Sequence, residues 1–315
     1  MTILTIGIPT YNRAGYLDQL LAGLVPAAEG KGIEVLVSDN CSTDGTAAVI
    51  NKYRGFHCLR YLKNSENLGF DRNILNLLAN ASGRFLWLMG DDDKIEVKRL
   101  GEVIHLLEDN PDTALFFLSY RPDDRKIRRS AAAGLKYLTL DAQQYADRYL
   151  HRATLISTNV INLAAARKLA LNRECVSRGW IHVHLLLLLA DRLKREGGRV
   201  IVVKNQVVIQ GAENNITPLD KWERTFVDNF AFTLDQTPLA GLTAGQFKKR
   251  FYDINIRPRY LNLKDISALD RPLEFNRRVA AIFRPNIFAR TSFYLQYFLG
   301  RLLIRLAGRG RDKNQ

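Results

Sequence analysis

The chain of 315 residues is 47% hydrophobic and 25% charged, the balance of a folded globular protein with one large domain or two modest ones. That composition excludes a disordered tail protein and a collagen. A polytopic membrane protein is excluded too, because the longest strongly apolar run, Leu185 to Ala190, is far short of the ~20 residues a spanning helix needs. The net charge of +14 is uneven: residues 1–120 sum to −4, residues 121–270 to +10 and residues 271–315 to +8. A gradient that ends in a basic, aromatic tail points to phosphates met by one end of the molecule, from lipid headgroups or from nucleic acid. Cys41, Cys58 and Cys175 lack metal-ligand spacing. Their odd number argues against a disulfide framework and for a reducing compartment, the cytosol. No basic and apolar leader is read at the start.

Leu4 to Ile8 is an apolar run ending at Pro9 and reads as a buried strand. Leu17, Leu20, Leu21 and Leu24 have helical spacing. Ile33 to Val37 is a second strand, followed by Ser42, Thr43 and Asp44 with N-cap chemistry for a helix through Tyr53. Leu59 to Leu62, a helix over Phe70 to Ala79, and a strand over Phe85 to Met89 come next. This alternation predicts a largely parallel sheet covered by helices, with ligands at the carboxyl ends of the strands. Further on, the sequence predicts a strand over Thr113 to Ser119, a polar loop over residues 121–134 and helices over Ala142 to Leu150 and Ala164 to Leu171. A long helix over Trp180 to Glu196 closes at Gly197 and Gly198. Val200 to Ile209 follows as a strand, and residues 220–262 read as mostly helical.

Each early strand ends in polar residues: Pro9-Thr10-Tyr11-Asn12-Arg13, then Ser38-Asp39-Asn40, then Asn67-Leu68-Gly69-Phe70-Asp71-Arg72-Asn73, then Gly90-Asp91-Asp92-Asp93. Four such clusters on one sheet edge make a ligand crevice. Three adjacent carboxylates repel one another unless a cation or separate donors relieve them. A hard cation such as Mg²⁺ or Mn²⁺ takes one or two carboxylates plus phosphate oxygens; an acid-decorated helix start is the plainer alternative. Asp39 either accepts from a nucleotide or caps its own turn.

Taken in this order, these residues resemble the inverting glycosyltransferases of family 2, well over residues 2–115 and loosely over 150–215. The finer details look most like bacterial transferases that add sugars to O-antigen units. The resemblance implies an α/β GT-A fold, a Rossmann-like and mostly parallel sheet flanked by helices. It further implies a glycosyltransferase domain over 1–215, split into a nucleotide-binding half (1–115) and an acceptor-binding half (116–215), and a helical, basic C-terminal region over 216–315. It implies a nucleoside-diphosphate sugar as donor, a divalent metal (Mn²⁺ or Mg²⁺) and a lipid-linked oligosaccharide acceptor. Pro9, Thr10, Tyr11 and Asn12 would line the nucleotide pocket and Asp39 would meet the base, with Asn67, Arg72 and Asp44 nearby. Asp91 would serve the donor, and Asp92 and Asp93 the metal. The family usually reads Asp-x-Asp-Asp, whereas Gly90 stands here at the first place, so the metal pair is either Asp92 with Asp93 or Asp91 with Asp93. The family's Glu-Asp pair for the catalytic base is missing from Arg178 to Leu185. His182 falls in its place and, with Asp93, is the expected catalytic residue; an imidazole accepts a hydroxyl proton near neutral pH. It serves equally as a metal or phosphate ligand. Glu174 is a more distant candidate for the base, and Trp180 either stacks on a sugar or simply packs.

Arg290, Tyr294, Tyr297, Arg301 and Arg305 fall on one helical stripe of residues 286–307. An apolar face edged by arginine and tyrosine suits a membrane headgroup boundary, and predicts a cytoplasmic protein held on the inner face of the membrane by its tail. A nucleotidyltransferase would need a Gly-rich, basic loop after the first strand, which Pro9 to Asn12 is not. A catalytically dead basic protein bound to membrane or nucleic acid is the other alternative. No helix-turn-helix or RNA-binding signature is present, so nucleic acid is not an expected partner.

Overall fold

The computed structural model describes residues 2–122, 134–211, 219–260 and 272–283, with a few positions after 284. The first four strands follow the expected alternation. They are β1 (Leu4–Thr10), β2 (Ile33–Asp39), β3 (Leu59–Lys63) and β4 (Phe85–Leu88), separated by α1 (Ala14–Ala28), α2 (Thr46–Lys52) and α3 (Phe70–Asn80). Every residue of β1, β2 and β4 is buried. Parallel strands with helices on both faces must be apolar throughout, which is why these segments read as continuous hydrophobic runs. All four pair in parallel, in the order β3-β2-β1-β4.

The second half of the sheet is mixed. β5 (Lys94–Ile95), α4 (Leu100–Asp109), β6 (Leu115–Pro122), β7 (Tyr137–Asp141), α5 (Ala142–Arg148), β8 (Asn159–Asn162), α6 (Leu163–Arg167), α7 (Ile181–Glu196) and β9 (Arg199–Gln210) follow in chain order. β8 enters antiparallel between β4 and β6, and β9 pairs in parallel with β6 and antiparallel with β5 and β7. Strands β5, β7 and β8 and helix α4 go beyond the expected elements. β8 holds two apolar residues between two asparagines, too short a pattern to announce a strand. The expected helix over 164–171 is shorter, ending at Arg167.

Two compact units divide the described residues. One comprises residues 1–214 with 236–243, the other residues 215–235 with everything from 244 onward. Residues 236–243 return to the first unit because Asp191 of α7 accepts from the Gly241 and Leu242 amides at 2.7 and 2.9 Å. His184 reinforces this return. Its Nε2 accepts from the Asn172 amide at 3.0 Å, so its Nδ1 carries the proton and donates to Thr237 Oγ1 at 2.7 Å. The second unit is helical, with Leu219–Glu223, Phe230–Asp235, Gly245–Phe251, Arg257–Tyr260 and Pro272–Phe283 around stacked rings such as Phe230 on Phe251. The expected tail stripe lies outside the described residues except for Tyr297. No described helix is long and apolar enough to cross a membrane.

Helix α7 starts at Trp180 without a side-chain cap of its own. Asp71, in the first turn of α3, supplies one from another element. Its buried carboxylate accepts from the Gly179 amide at 2.7 Å and the Ile181 amide at 3.2 Å. Two helix starts are thereby locked together. Removing a buried acceptor strands its donors at a cost of about 1–3 kcal/mol. Asp71→Ala should therefore lower unfolding stability by about that amount in urea titrations.

Candidate active site

Strand β1 has β2 on one side and β4 on the other, so the chain order reverses at β1. At such a switch point the connections leave in opposite directions and open a crevice at the carboxyl ends. β1 ends at Thr10 and β4 at Leu88, shortly before Asp91. Across the seam, Thr10 Oγ1 donates to Asp91 Oδ2 at 2.8 Å. The turn after Thr10 is clamped to the loop after β2. Asn12 adopts a left-handed φ of 53°, a conformation asparagine tolerates better than most residues. Its amide donates to Ser42 Oγ at 2.9 Å, and its Oδ1 accepts from the Thr43 amide at 2.8 Å. Asp44 accepts from the Ala14 amide and from Thr46, joining the start of α1 to the start of α2.

The three aspartates have three different environments. Asp91 is held by Thr10 through one oxygen, and Arg13 Nη1 lies 3.3 Å from the other. Asp92 is the most open, its side chain 21% exposed, with Arg13 Nη2 at 3.0 Å from Oδ2. Asp93 turns into the protein: Oδ1 accepts from the Gly211 amide at 2.8 Å and Oδ2 from the Ser157 hydroxyl. The pairing of β5 with the end of β9 brings Gly211 there. A Cβ on Gly211 would stand 2.1 Å from the Asp92 carbonyl oxygen, so only glycine fits. A Cβ at Gly90 would stand 3.1 Å from Asp92 Oδ1 and 3.3 Å from Asp93 Oδ2. A further carboxylate at that position would press on two others. Burial pushes the Asp93 carboxyl up to about 6, the Ser157 and Gly211 bonds pulling the other way and Asp92 adding repulsion.

A cavity of about 250 Å³ opens between these groups. Pro9, Thr10, Tyr11, Asp91 and Asp92 line it, together with Arg13, Gly90, Phe70, Asn73 and Ile156. Tyr11 and Phe70 expose 43% and 44% of their surfaces, two aromatic faces suited to stacking. The structure thus gathers five of the expected residues around one cavity. It places the others elsewhere. Asn12 braces the turn. Asp39 is fully buried and accepts from the Ser42 amide at 2.8 Å and Tyr61 hydroxyl at 2.6 Å. Asn67 accepts from Asn40 at 2.7 Å within a network of asparagines, and Arg72 is exposed. His182 is buried, its ring edge-on to Phe70 at 5.9 Å and stacked on Trp180 at 5.7 Å. A carbonyl only accepts, so the contact of His182 Nε2 with the Thr154 oxygen at 3.0 Å assigns the proton to Nε2 and leaves Nδ1 as a bare lone pair. Burial holds this imidazole below its ordinary pKa. Arg13, Phe70, Asn73, Ser157 and Gly211 carried no expected role. Arg13 has a readable signal, as the sole base within the first polar strand end. Ser157 and Gly211 have none, because long-range pairing brings them in.

Two carboxylates on one cavity fit a hard divalent cation that takes its other ligands from phosphate oxygens. Among the described residues no group of three His, Cys, Asp or Glu side chains is arranged to hold a metal. The carboxylates that line the cavity are Asp91 and Asp92, whereas Asp93, expected as a metal ligand, is bonded to Gly211 and Ser157.

A family model described as Glycosyl transferase family 2 matches residues 5–172, more than half of the chain. The chain belongs to this family. The family match takes in every lining residue from Pro9 to Ile156 and stops before His182. Abequosyltransferase RfbV of Salmonella typhimurium is 36% identical over 116 residues, covering 36% of this chain and 35% of that protein. Poly(ribitol-phosphate) beta-N-acetylglucosaminyltransferase TarS of Staphylococcus aureus is 26% identical over 207 residues, 60% of this chain and 35% of that protein. The chain thus spans about a third of the length of these curated relatives. Among solved structures, S. aureus TarS 1–349 in complex with UDP-GlcNAc superposes with a TM-score of 0.59 at 18% identity, covering 97% of this chain and 92% of that one. Mannosyltransferase PcManGT from Pyrobaculum calidifontis, in complex with GDP-Man and Mn²⁺, gives 0.51 at 16% identity, over 99% and 88%. At these identities the likeness is one of fold, and it agrees with the expected α/β GT-A architecture.

In metal-free protein the ¹³C carboxyl resonance of Asp93 should titrate with a midpoint near 6. A carboxyl raised only in the folded state binds its proton there more tightly than in the unfolded chain. Its contribution to stability therefore falls as pH rises from about 4 to about 6 and is level above that.

Proposed function

We propose that this chain transfers a sugar from a nucleoside-diphosphate donor to a hydroxyl of a lipid-linked glycan, with inversion, in the synthesis of bacterial surface polysaccharide. The observation that carries this reading is the cavity at the β1/β4 seam. It unites a hydroxyl-anchored carboxylate, an open carboxylate, a guanidinium and two exposed aromatic faces. The names of the relatives support the acceptor class. Besides RfbV and TarS, a GalNAc(5)-diNAcBac-PP-undecaprenol beta-1,3-glucosyltransferase of Campylobacter jejuni is 31% identical over 97 residues. The solved complexes with UDP-GlcNAc and with GDP-Man and Mn²⁺ support the donor class.

In this reading Tyr11 and Pro9 form the wall beside the base, and Asp39 supports the floor through the loop after β2. Asp92, with Asp91, would hold a divalent cation, which when bound supplies charge opposite to that developing on the departing diphosphate. Asp93 holds the acidic turn in shape by bonding to Ser157 and Gly211. His182 takes the acceptor proton on Nδ1; its neutral state at pH 7 follows from burial, and its tautomer from the Thr154 carbonyl. The tail of residues 286–307 keeps the enzyme on the inner membrane face, where the lipid-linked acceptor lies.

Asp92→Asn should weaken donor binding in the presence of Mn²⁺ at least ten-fold by calorimetry. Unchanged affinity and turnover would refute the assignment. General-base loss typically costs ~10²–10⁴ in rate, so His182→Ala should reduce kcat by that order with KM for the donor changed only slightly. Deleting residues 286–315 should abolish sedimentation with liposomes while donor hydrolysis persists.

A further inference from the structure

Arg13 had no expected role. The turn that carries it is fixed from both sides: Asn12 is held by Ser42 and Thr43, and Ala14 by Asp44. Tyr16, one turn into α1, lies under the guanidinium, with the ring centroid 4.8 Å from Cζ. From this support the guanidinium spans two carboxylates, with Nη1 at 3.3 Å from Asp91 Oδ1 and Nη2 at 3.0 Å from Asp92 Oδ2. The second oxygen of Asp91 is committed to Thr10. The guanidinium therefore covers the Asp91 oxygen not taken by Thr10 and one of the two on Asp92.

We infer that Arg13 is a built-in counter-ion that competes with a divalent cation for Asp91 and Asp92, so that metal binds only as the guanidinium is turned aside. This rests on the cation site proposed above. A divalent ion sits about 2 Å from its oxygens, inside the distance at which the guanidinium now lies, so at Asp91 Oδ1 and Asp92 Oδ2 the two cations compete. Arg13 offsets the mutual repulsion of two neighbouring carboxylates, which also lowers their attraction for a second cation. Arg13 is a positioning and specificity residue in this scheme, acting on the affinity for metal.

The test titrates Mn²⁺ alone into the full-length protein, following free ion by electron paramagnetic resonance and heat by calorimetry. Wild type is compared with Arg13→Gln, Arg13→Lys, Asp92→Asn and Arg13→Gln combined with Asp92→Asn, each checked for wild-type circular dichroism. Arg13→Gln should bind Mn²⁺ at least ten-fold tighter than wild type. Arg13→Lys, which keeps the charge but loses the fork, should fall between them. Adding Asp92→Asn should erase the gain. Equal or weaker Mn²⁺ affinity in Arg13→Gln, with Asp92→Asn still weakening wild type, overturns the inference and leaves the cation site standing. If Asp92→Asn changes nothing in either background, the cation site itself is refuted and the inference falls with it.

Discussion

Thr10 donates to Asp91 at 2.8 Å across the seam between the carboxyl ends of β1 and β4. The rest of the cavity depends on this contact. It is short because β1 and β4 pair in parallel and in register, Leu4 opposite Phe85 and Gly7 opposite Leu88, so the two carboxyl ends emerge side by side. Gly7 permits the close packing beneath: a Cβ there would stand 3.0 Å from a Leu86 methyl. The acidic turn is thus an extension of a buried strand, and its geometry is set by the sheet rather than by a flexible loop.

The same logic explains why three adjacent aspartates coexist. Like charges at successive positions repel strongly unless separate donors take them apart. Here one is tied to a strand-end hydroxyl, one faces a guanidinium, and one is buried against a hydroxyl and a backbone amide. Burial, outweighing the Ser157 and Gly211 bonds and the charge of Arg13, leaves Asp93 easier to protonate than an ordinary carboxyl. The run divides its labour: Asp93 shapes the turn, while Asp91 and Asp92 face the cavity.

The parallel half of the fold was legible because strands buried on both faces leave long apolar runs and their ends leave polar clusters. Pro9, Thr10, Tyr11, Asp91 and Asp92 could be placed together by topology alone. In the mixed half β6, β9, α5 and α7 were legible, but the short strands were not. β8 is four residues and β5 two, and both exist only through pairing with distant partners. The fate of Asp93 was hidden for the same reason, since its partners Ser157 and Gly211 lie 64 and 118 residues away. His182 lies in the first turn of α7. What the sequence did not disclose is that Asp71 sets that helix start and that Phe70, which lines the cavity, packs edge-on against the imidazole.

Charge balance gives the site its chemical logic. Among the described residues lining the cavity, Arg13 is the only base, and Asp91 and Asp92 are the only acids. The lining is therefore net negative, within a first third of the chain that is itself −4. A diphosphate entering such a place meets repulsion at close range, where partial burial makes charges act more strongly than in water. One guanidinium, already engaged by two carboxylates, does not reverse the sign. In the proposed scheme a divalent cation on the same carboxylates would, and the displaced guanidinium would be left to meet the incoming anion. By linkage, whatever draws the guanidinium from the carboxylates raises their affinity for metal, and metal raises the affinity of the cavity for the anion by the same factor. An acidic pocket for an acidic substrate is then consistent, provided that metal and donor arrive as partners.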